Sequence, residues 1–276
     1  MPEMKKTKSV LLTTPYILWM VAFTLIPLGV VAYYALTDPA TGEFSLTNIR
    51  ELGMYLPVLG SSIWYSLVSS AICLLLGYPV AYYIAHRSPL AQKFLYMLVM
   101  LPMCMSFLLR TLAWVGLLQD TGIINRLLGL IGIGPVTLIR TPGAVILGMV
   151  YNYLPYMILP LYSTIVKIDH RLIEAAQDLG CNGRKVFSKV ILPLSMPGIL
   201  SGVTMVFVPA VSTFYISQKL GGTDTVMIGD VIERQFKQGS NPNLGAALSL
   251  VLMILVFVCT GIMNRFGGDE EGGVIA

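Results

Sequence analysis

The sequence predicts an all-α integral membrane protein with six transmembrane helices, and three observations carry that expectation. Hydrophobic residues fill 55% of 276 positions and charged residues only 12%, giving a mean hydropathy of +0.76, far above a soluble domain. Apolar runs long enough to cross a hydrocarbon core recur along the chain; at about 1.5 Å per residue, about 20 residues suffice. A short, strongly polar helix signal interrupts this pattern once, near Glu174, between the fourth and fifth runs. The net charge of +4 is modest, and no basic stripe with interleaved aromatics suggests nucleic acid.

Taken in order, residues 1–14 carry Lys5, Lys6 and Lys8 and are expected as a cytoplasmic N-terminus. The apolar run Pro15–Leu36 has 22 residues, against about 7–15 for the core of a signal peptide, so it reads as a first span. With the polar outer loop that follows, it makes a segment 15–60. A core domain over 61–266 and a cytoplasmic tail over 267–276, with Asp269-Glu270-Glu271, complete the division.

Within the core, the second span is expected from Ser61 to Ala85. The third starts near Lys93 and passes through Leu101-Pro102. On a straight helix Arg110 lies about 25 Å beyond Lys93, towards the outer interface, where a long cation reaches water at little cost. Residues 119–142 are Gly-rich, with a short helix around Asn125–Gly129. The fourth span covers Gly143 to Val166, and Pro155 and Pro160 each remove a backbone donor. The fifth runs from Val190 to Ile216, with Gly198 and Gly202 spaced for close helix packing. A helix at Ile228–Phe236 precedes the sixth span, Leu244 to Met263. The four cysteines are scattered, as buried thiols rather than a metal site. His86 and His170 fall at segment ends and are expected in structural, interfacial roles.

Six spans put both termini on one side. Eleven Lys and Arg then fall on that side and six on the other, with Arg110 apart. The positive-inside rule assigns both termini and the Glu174 segment to the cytoplasm.

The Glu174 segment is the most specific signal in the chain. Asp169 can accept from the first unsatisfied amides of a helix, and Gly180 can end it in the left-handed conformation. Between them Leu172, Ala175, Ala176 and Leu179 share one side, where the alanines leave room for a groove on another protein. The pattern Glu174-Ala175-Ala176…Gly180…Val190-Ile191-Leu192-Pro193 resembles the EAA motif of ABC-importer permeases, with Val190 where that family usually has Ile. Further stretches, Leu147–Ser163, Met205–Ser217, Leu220-Gly221-Gly222 and Met227–Phe236, look like permease subunits of spermidine/putrescine importers. The resemblance covers nearly the whole chain and is weakest in the first 60 residues and the tail.

It implies a type I importer (MetI-like) permease fold in the bacterial cytoplasmic membrane. It also implies an ATPase-coupling set of Glu174, Ala175, Ala176, Asp178, Gly180, Leu192 and Pro193. The implied partners are a second homologous permease, two ATPase subunits and an extracytoplasmic polyamine-binding protein. ATP and Mg belong to the partner ATPase, because this chain has no G-x-x-x-x-G-K-[S/T] segment to cradle phosphates. The chain is thus expected to be a non-catalytic subunit and to have no metal site.

For a cationic cargo the spans offer rings rather than carboxylates, and cation–π attraction is worth about 0.5–2 kcal/mol per ring. Trp114, Tyr151, Tyr156 and Tyr215 are the candidates for the substrate path, with Asp230 and Glu233 at its outer mouth. A permease for another small solute, such as an amino acid or an aminophosphonate, fits the same motifs. An ATP-independent carrier would need a coupling carboxylate or selectivity ring, and an intramembrane enzyme a nucleophile or metal motif; neither pattern is present.

Overall fold

The computed structural model describes residues 14–38, 42–45, 47–237 and 241–267. The N-terminal lysines and the acidic tail lie outside them. The chain folds as two compact units. One joins Met1–Leu56 to Val231–Ile254, the other Pro57–Asp230 to Leu255–Ala276.

In the first unit, α1 (Thr14–Ala35) is a continuous apolar helix with a π-helical turn at Val21–Leu25. Small residues bring its end against Ala246 and Ala247 near the start of α12 (Pro242–Gly267). Asn243 donates to the Thr37 carbonyl at 2.8 Å, and Asn48 donates to the same oxygen at 2.9 Å. Two buried amides thus satisfy the chain where α1 ends.

The second unit takes in α2 (Leu56–Ala85) from Pro57 onward. It starts before the expected Ser61, because Pro57 fits the first turn of a helix, where its missing N–H costs nothing. Ser62, Ser66, Ser69 and Ser70 are buried along it. Ser62, Ser66 and Ser70 each donate to the carbonyl four residues back at 2.7 Å. Hydroxyls satisfied in this way can face a tight helix contact.

The expected third span is broken. α3 (Pro89–Met100) runs into a 3₁₀ turn at Leu101–Cys104, and α4 (Phe107–Leu118) begins after Met105 and Ser106. Pro102 cannot donate to a continuing helix, which accounts for the interruption. α5 (Ile123–Leu130) follows, and Phe107–Leu130 together are long and apolar enough to cross a membrane. Arg110 is therefore not the interfacial residue a straight helix would make it. It is only 6% exposed, and its Nε and Nη1 have no hydrogen-bond partner among the described residues.

α6 (Pro142–Ile165) is capped by Thr141 and runs unbroken through Pro155 and Pro160. α7 (His170–Asp178) is the expected polar helix. The fifth span differs from its expectation. α8, the helical stretch Gly183–Leu194, meets α9 (Met196–Val211) at 63°. The bend falls at Ser195, between Pro193 and Pro197, neither of which has an N–H to carry the helical ladder. α9 packs along α6 through Gly198 and Gly202. A Cβ on Gly198 would lie 2.6 Å from Thr164 Oγ1, and one on Gly202 would lie 2.7 Å from Met157 Sδ. α10 (Tyr215–Leu220) and α11 (Ile228–Lys237) complete the helices, and the backbone amide of Ile228 donates to Ser62 Oγ at 2.8 Å. With the bent pair counted as one, six segments among the described residues can cross a membrane.

Candidate functional site: the coupling segment and the membrane path

Asp169 Oδ1 accepts from the Arg171 amide at 3.0 Å and so caps α7. Gly180 ends the helix at φ +80°, with the Cys181 amide returning to the Ala176 carbonyl at 3.0 Å. A Cβ at Gly180 would meet nothing within 4 Å. The glycine is therefore required by its conformation and not by crowding. Asn182 then caps α8 by accepting from the Lys185 amide at 3.0 Å.

Ile173 is buried with Val186 and Ile191, and Ala176 packs on the same cluster. Leu172 and Leu179 are exposed at 49% and 86%, and Glu174, Ala175 and Asp178 are exposed beside them. The expected docking side thus separates into two. Leu172, Ala175 and Leu179 remain open, while Ala176 turns towards its own chain, where its small side chain lets α7 lie close to α8.

Leu192 and Pro193 stand just before the bend. Ser195 is fully buried and donates to the Leu192 carbonyl at 2.9 Å. Its hydroxyl also pairs with the Tyr78 hydroxyl at 2.9 Å. Phe187, on the π-helical turn of α8, meets the Tyr78 ring edge-on at 5.6 Å and Tyr82 at 6.4 Å. The bend after Leu192 and Pro193 is therefore fastened to α2 through Tyr78. This connection carried no signal in the sequence, because it joins residues over 100 positions apart.

The aromatic candidates separate by surroundings. Trp114 and Tyr151 form an edge-on pair at 5.4 Å, and Tyr156 pairs with Tyr153 at 6.3 Å. Tyr215 packs against Phe107 at 6.2 Å and receives the Lys219 ammonium over its ring at 5.8 Å. Tyr151 and Tyr156 keep over a third of their surface open. Tyr153 is buried and its hydroxyl donates to the Pro209 carbonyl, a structural role.

The two carboxylates expected at an outer mouth are not alike. Asp230 is 4% exposed, and its Oδ2 accepts from the Met227 amide at 2.8 Å at the start of α11. It is a buried carboxylate that organises a helix start, not a solvated loop charge. Glu233 forms an ion pair with Lys237 one turn on. A polar cavity of about 550 Å3 lies instead beside Asp120, Thr137 and Arg140. Arg140 is held at φ 62° while its amide donates to the Leu220 carbonyl at 2.8 Å. A side chain held in the left-handed region marks a locally strained loop.

The family described as binding-protein-dependent transport system inner membrane component matches residues 74–267. The spermidine/putrescine transport system permease protein PotB of Haemophilus influenzae is 39% identical over 90% of each chain. PotB of Escherichia coli is 37% identical over 86% of this chain and 90% of its own. Among solved structures, a bacterial ABC transporter importing the acidic polysaccharide alginate has a chain covering 97% of this one and 98% of itself. Its TM-score is 0.76 at 20% identity. A chain of the inward-facing MetNI methionine ABC transporter covers 79% of this chain and 96% of itself, with a TM-score of 0.59 at 17% identity. The fold is thus that of MetI-like ABC permeases, and the chain belongs to the family of inner-membrane components of binding-protein-dependent transport systems.

Proposed function

We propose that this chain is a permease subunit of an ATP-driven importer for polyamines of the spermidine and putrescine type. In this reading it forms half of a translocation path with a second homologous permease. Two ATPase subunits bind ATP and Mg and drive it, and an extracytoplasmic binding protein delivers the cargo. Both termini and α7 face the cytoplasm. The observation that carries the mechanism is the Glu174 segment, a capped helix whose face of Leu172, Ala175 and Leu179 stands open. Behind it, the bend at Ser195 is tied to α2 through Tyr78.

In mechanical terms, closure of the ATPase pair moves α7, and the α7–α8 cluster of Ile173, Val186 and Ile191 makes the two elements move together. The bend and its Tyr78 tie pass that displacement to the spans. A ligand can bias this equilibrium only by binding one state more tightly than the other.

The similarity to PotB proteins supports the polyamine cargo, as do the open rings of Tyr151 and Tyr156, which suit ammonium groups. Uptake of labelled putrescine and spermidine by cells lacking and regaining this chain tests the substrate. Restored uptake of neither polyamine would refute it. Labelling of Lys185→Cys by an impermeant reagent from outside intact, otherwise cysteine-free cells would refute the orientation.

A further inference from the structure

The buried face of α4 carries a charge that no other described residue answers. Phe107, Arg110, Thr111 and Trp114 lie three and four apart and so share one side of the helix. Thr111 is fully buried, and its hydroxyl donates to the Phe107 carbonyl at 3.0 Å. Arg110 is 6% exposed, and its Nε and Nη1 find no hydrogen-bond acceptor. Nor does its guanidinium form an ion pair among the described residues. α4 packs against α6 and α10, and none of the three helices contains an Asp or a Glu. An arginine keeps its charge in proteins. Unpaired and away from water, that charge acts with less screening than a paired or solvated one.

The charge stands among the aromatic rings. To one side of it along α4, Phe107 packs on Tyr215 at 6.2 Å; to the other, Trp114 meets Tyr151 at 5.4 Å. Its field reaches the Tyr153 hydroxyl, and Tyr153 pairs with Tyr156 at 6.3 Å. Lys219 already lies over the Tyr215 ring. Tyr151 and Tyr156, each more than a third exposed, are thus the rings left open to an incoming ammonium group.

We propose that Arg110 sets how weakly the path holds its cargo. Its uncompensated charge opposes the attraction of Tyr151 and Tyr156 for ammonium groups, so that a polycation passes the rings without being trapped on them. Rings alone would hold a polycation at several points, and each added contact slows its departure. A fixed positive charge counters every ammonium group that comes near it, and so repels a polycation more than a monocation. Arg110 does this through space and does not touch the cargo, which is why it can serve while buried. The role rests on the cationic cargo and the ring-lined path proposed above.

The test uses the intact importer complex in nanodiscs, without nucleotide or binding protein, and measures equilibrium retention of labelled spermidine. R110Q and R110M remove the charge, and Arg110→Lys keeps it. Both neutral variants are expected to hold spermidine about tenfold more tightly than wild type, the scale of one partly screened charge, while Arg110→Lys stays within about twofold. Adding Y151L and Y156L to R110Q should abolish the gain, because the rings supply the attraction. In uptake by the full system, R110Q should turn over more slowly at saturating spermidine, as release becomes limiting.

Equal retention by wild type and the neutral variants would overturn the proposal. So would the same gain in Arg110→Lys, since the effect would then not be one of charge. Failure of both neutral variants to assemble would show Arg110 paired within the complex, and would overturn it as well. A wild-type complex that takes up neither putrescine nor spermidine refutes the cargo and this role with it. Wild-type uptake with unchanged retention in R110Q refutes the role of Arg110 alone.

Discussion

Within the unit formed around Pro57–Asp230, two helix contacts are built on opposite principles. Where α9 crosses α6, the glycines remove every atom that could hold the helices apart. The space a Cβ of Gly198 would need is taken by Thr164 and by the Pro160 carbonyl. Where α7 lies on α8, contact rests on a small cluster around Ile173, and the helix is defined by its ends, Asp169 and Gly180. The first contact resists any change of spacing, since packed interiors tolerate neither insertion nor separation. The second rests on a few side chains, and the shape of the helix is set at its two ends. In the mechanism proposed above, the first contact serves as a rigid pair of spans and the second holds the handle that moves against them.

That contrast can be broken most directly at Gly198. Gly198→Leu is expected to destabilise the complex by about 3 kcal/mol, the upper end of overpacking effects. Loss of assembled complex on solubilisation and a lowered unfolding midpoint in detergent would register it, and wild-type stability would refute the rigid contact. Gly180→Val should cost about 1–2 kcal/mol locally by forcing a branched residue into the left-handed region. Here assembly is expected to survive while binding-protein-stimulated ATP hydrolysis and uptake fall together. A variant that assembles and transports normally would remove α7 from the coupling mechanism.

Smaller effects sharpen the same distinction. Asp169→Ala should weaken the start of α7 by about 1 kcal/mol, as loss of an N-cap does. Faster hydrogen exchange at the Arg171 amide, with the spans unchanged, is the expected readout. Tyr78→Phe removes one hydroxyl from the bend and should cost about 0.5–1.5 kcal/mol. Ser195 keeps its bond to Leu192, so the bend remains and coupling efficiency, measured as cargo moved per ATP hydrolysed, should drop without loss of ATPase activity. If that ratio is unchanged, Tyr78 only packs.

The handle is legible in the sequence because its determinants are local. Asp169, Gly180 and Asn182 act within three residues of the groups they satisfy, so spacing alone reveals them. The spans are legible for a similar reason, since length and apolarity decide what can cross a bilayer. The breaks are not. Pro102, Pro193 and Pro197 interrupt their helices, whereas Pro155 and Pro160 lie in one that continues. The prolines are chemically alike, and their surroundings make the difference. Arg110 and Asp230 read as exposed in the sequence and are buried in the fold for the same cause. Burial of a charge depends on which helices close over it, and that is a property of the assembled fold. Ala176 and Ala175 are identical neighbours in the motif, yet one faces α8 and the other opens outward.

The bond from the Ile228 amide to Ser62 also sets an order of biogenesis. α11 takes the acceptor for a buried amide at its start from a hydroxyl 166 residues earlier. When the ribosome has made residues 228–237, α2 has already left the exit tunnel, so the acceptor exists before the donor that needs it. A chain whose second span has been inserted out of register has no acceptor there when α11 is made, and must bury an unanswered amide or keep that turn in water. The start of α11 thus depends on the register of α2 for its hydrogen-bond acceptor. Ser62→Ala should show it as a pulse-labelled chain that stays protease-sensitive near residue 228 after synthesis is complete.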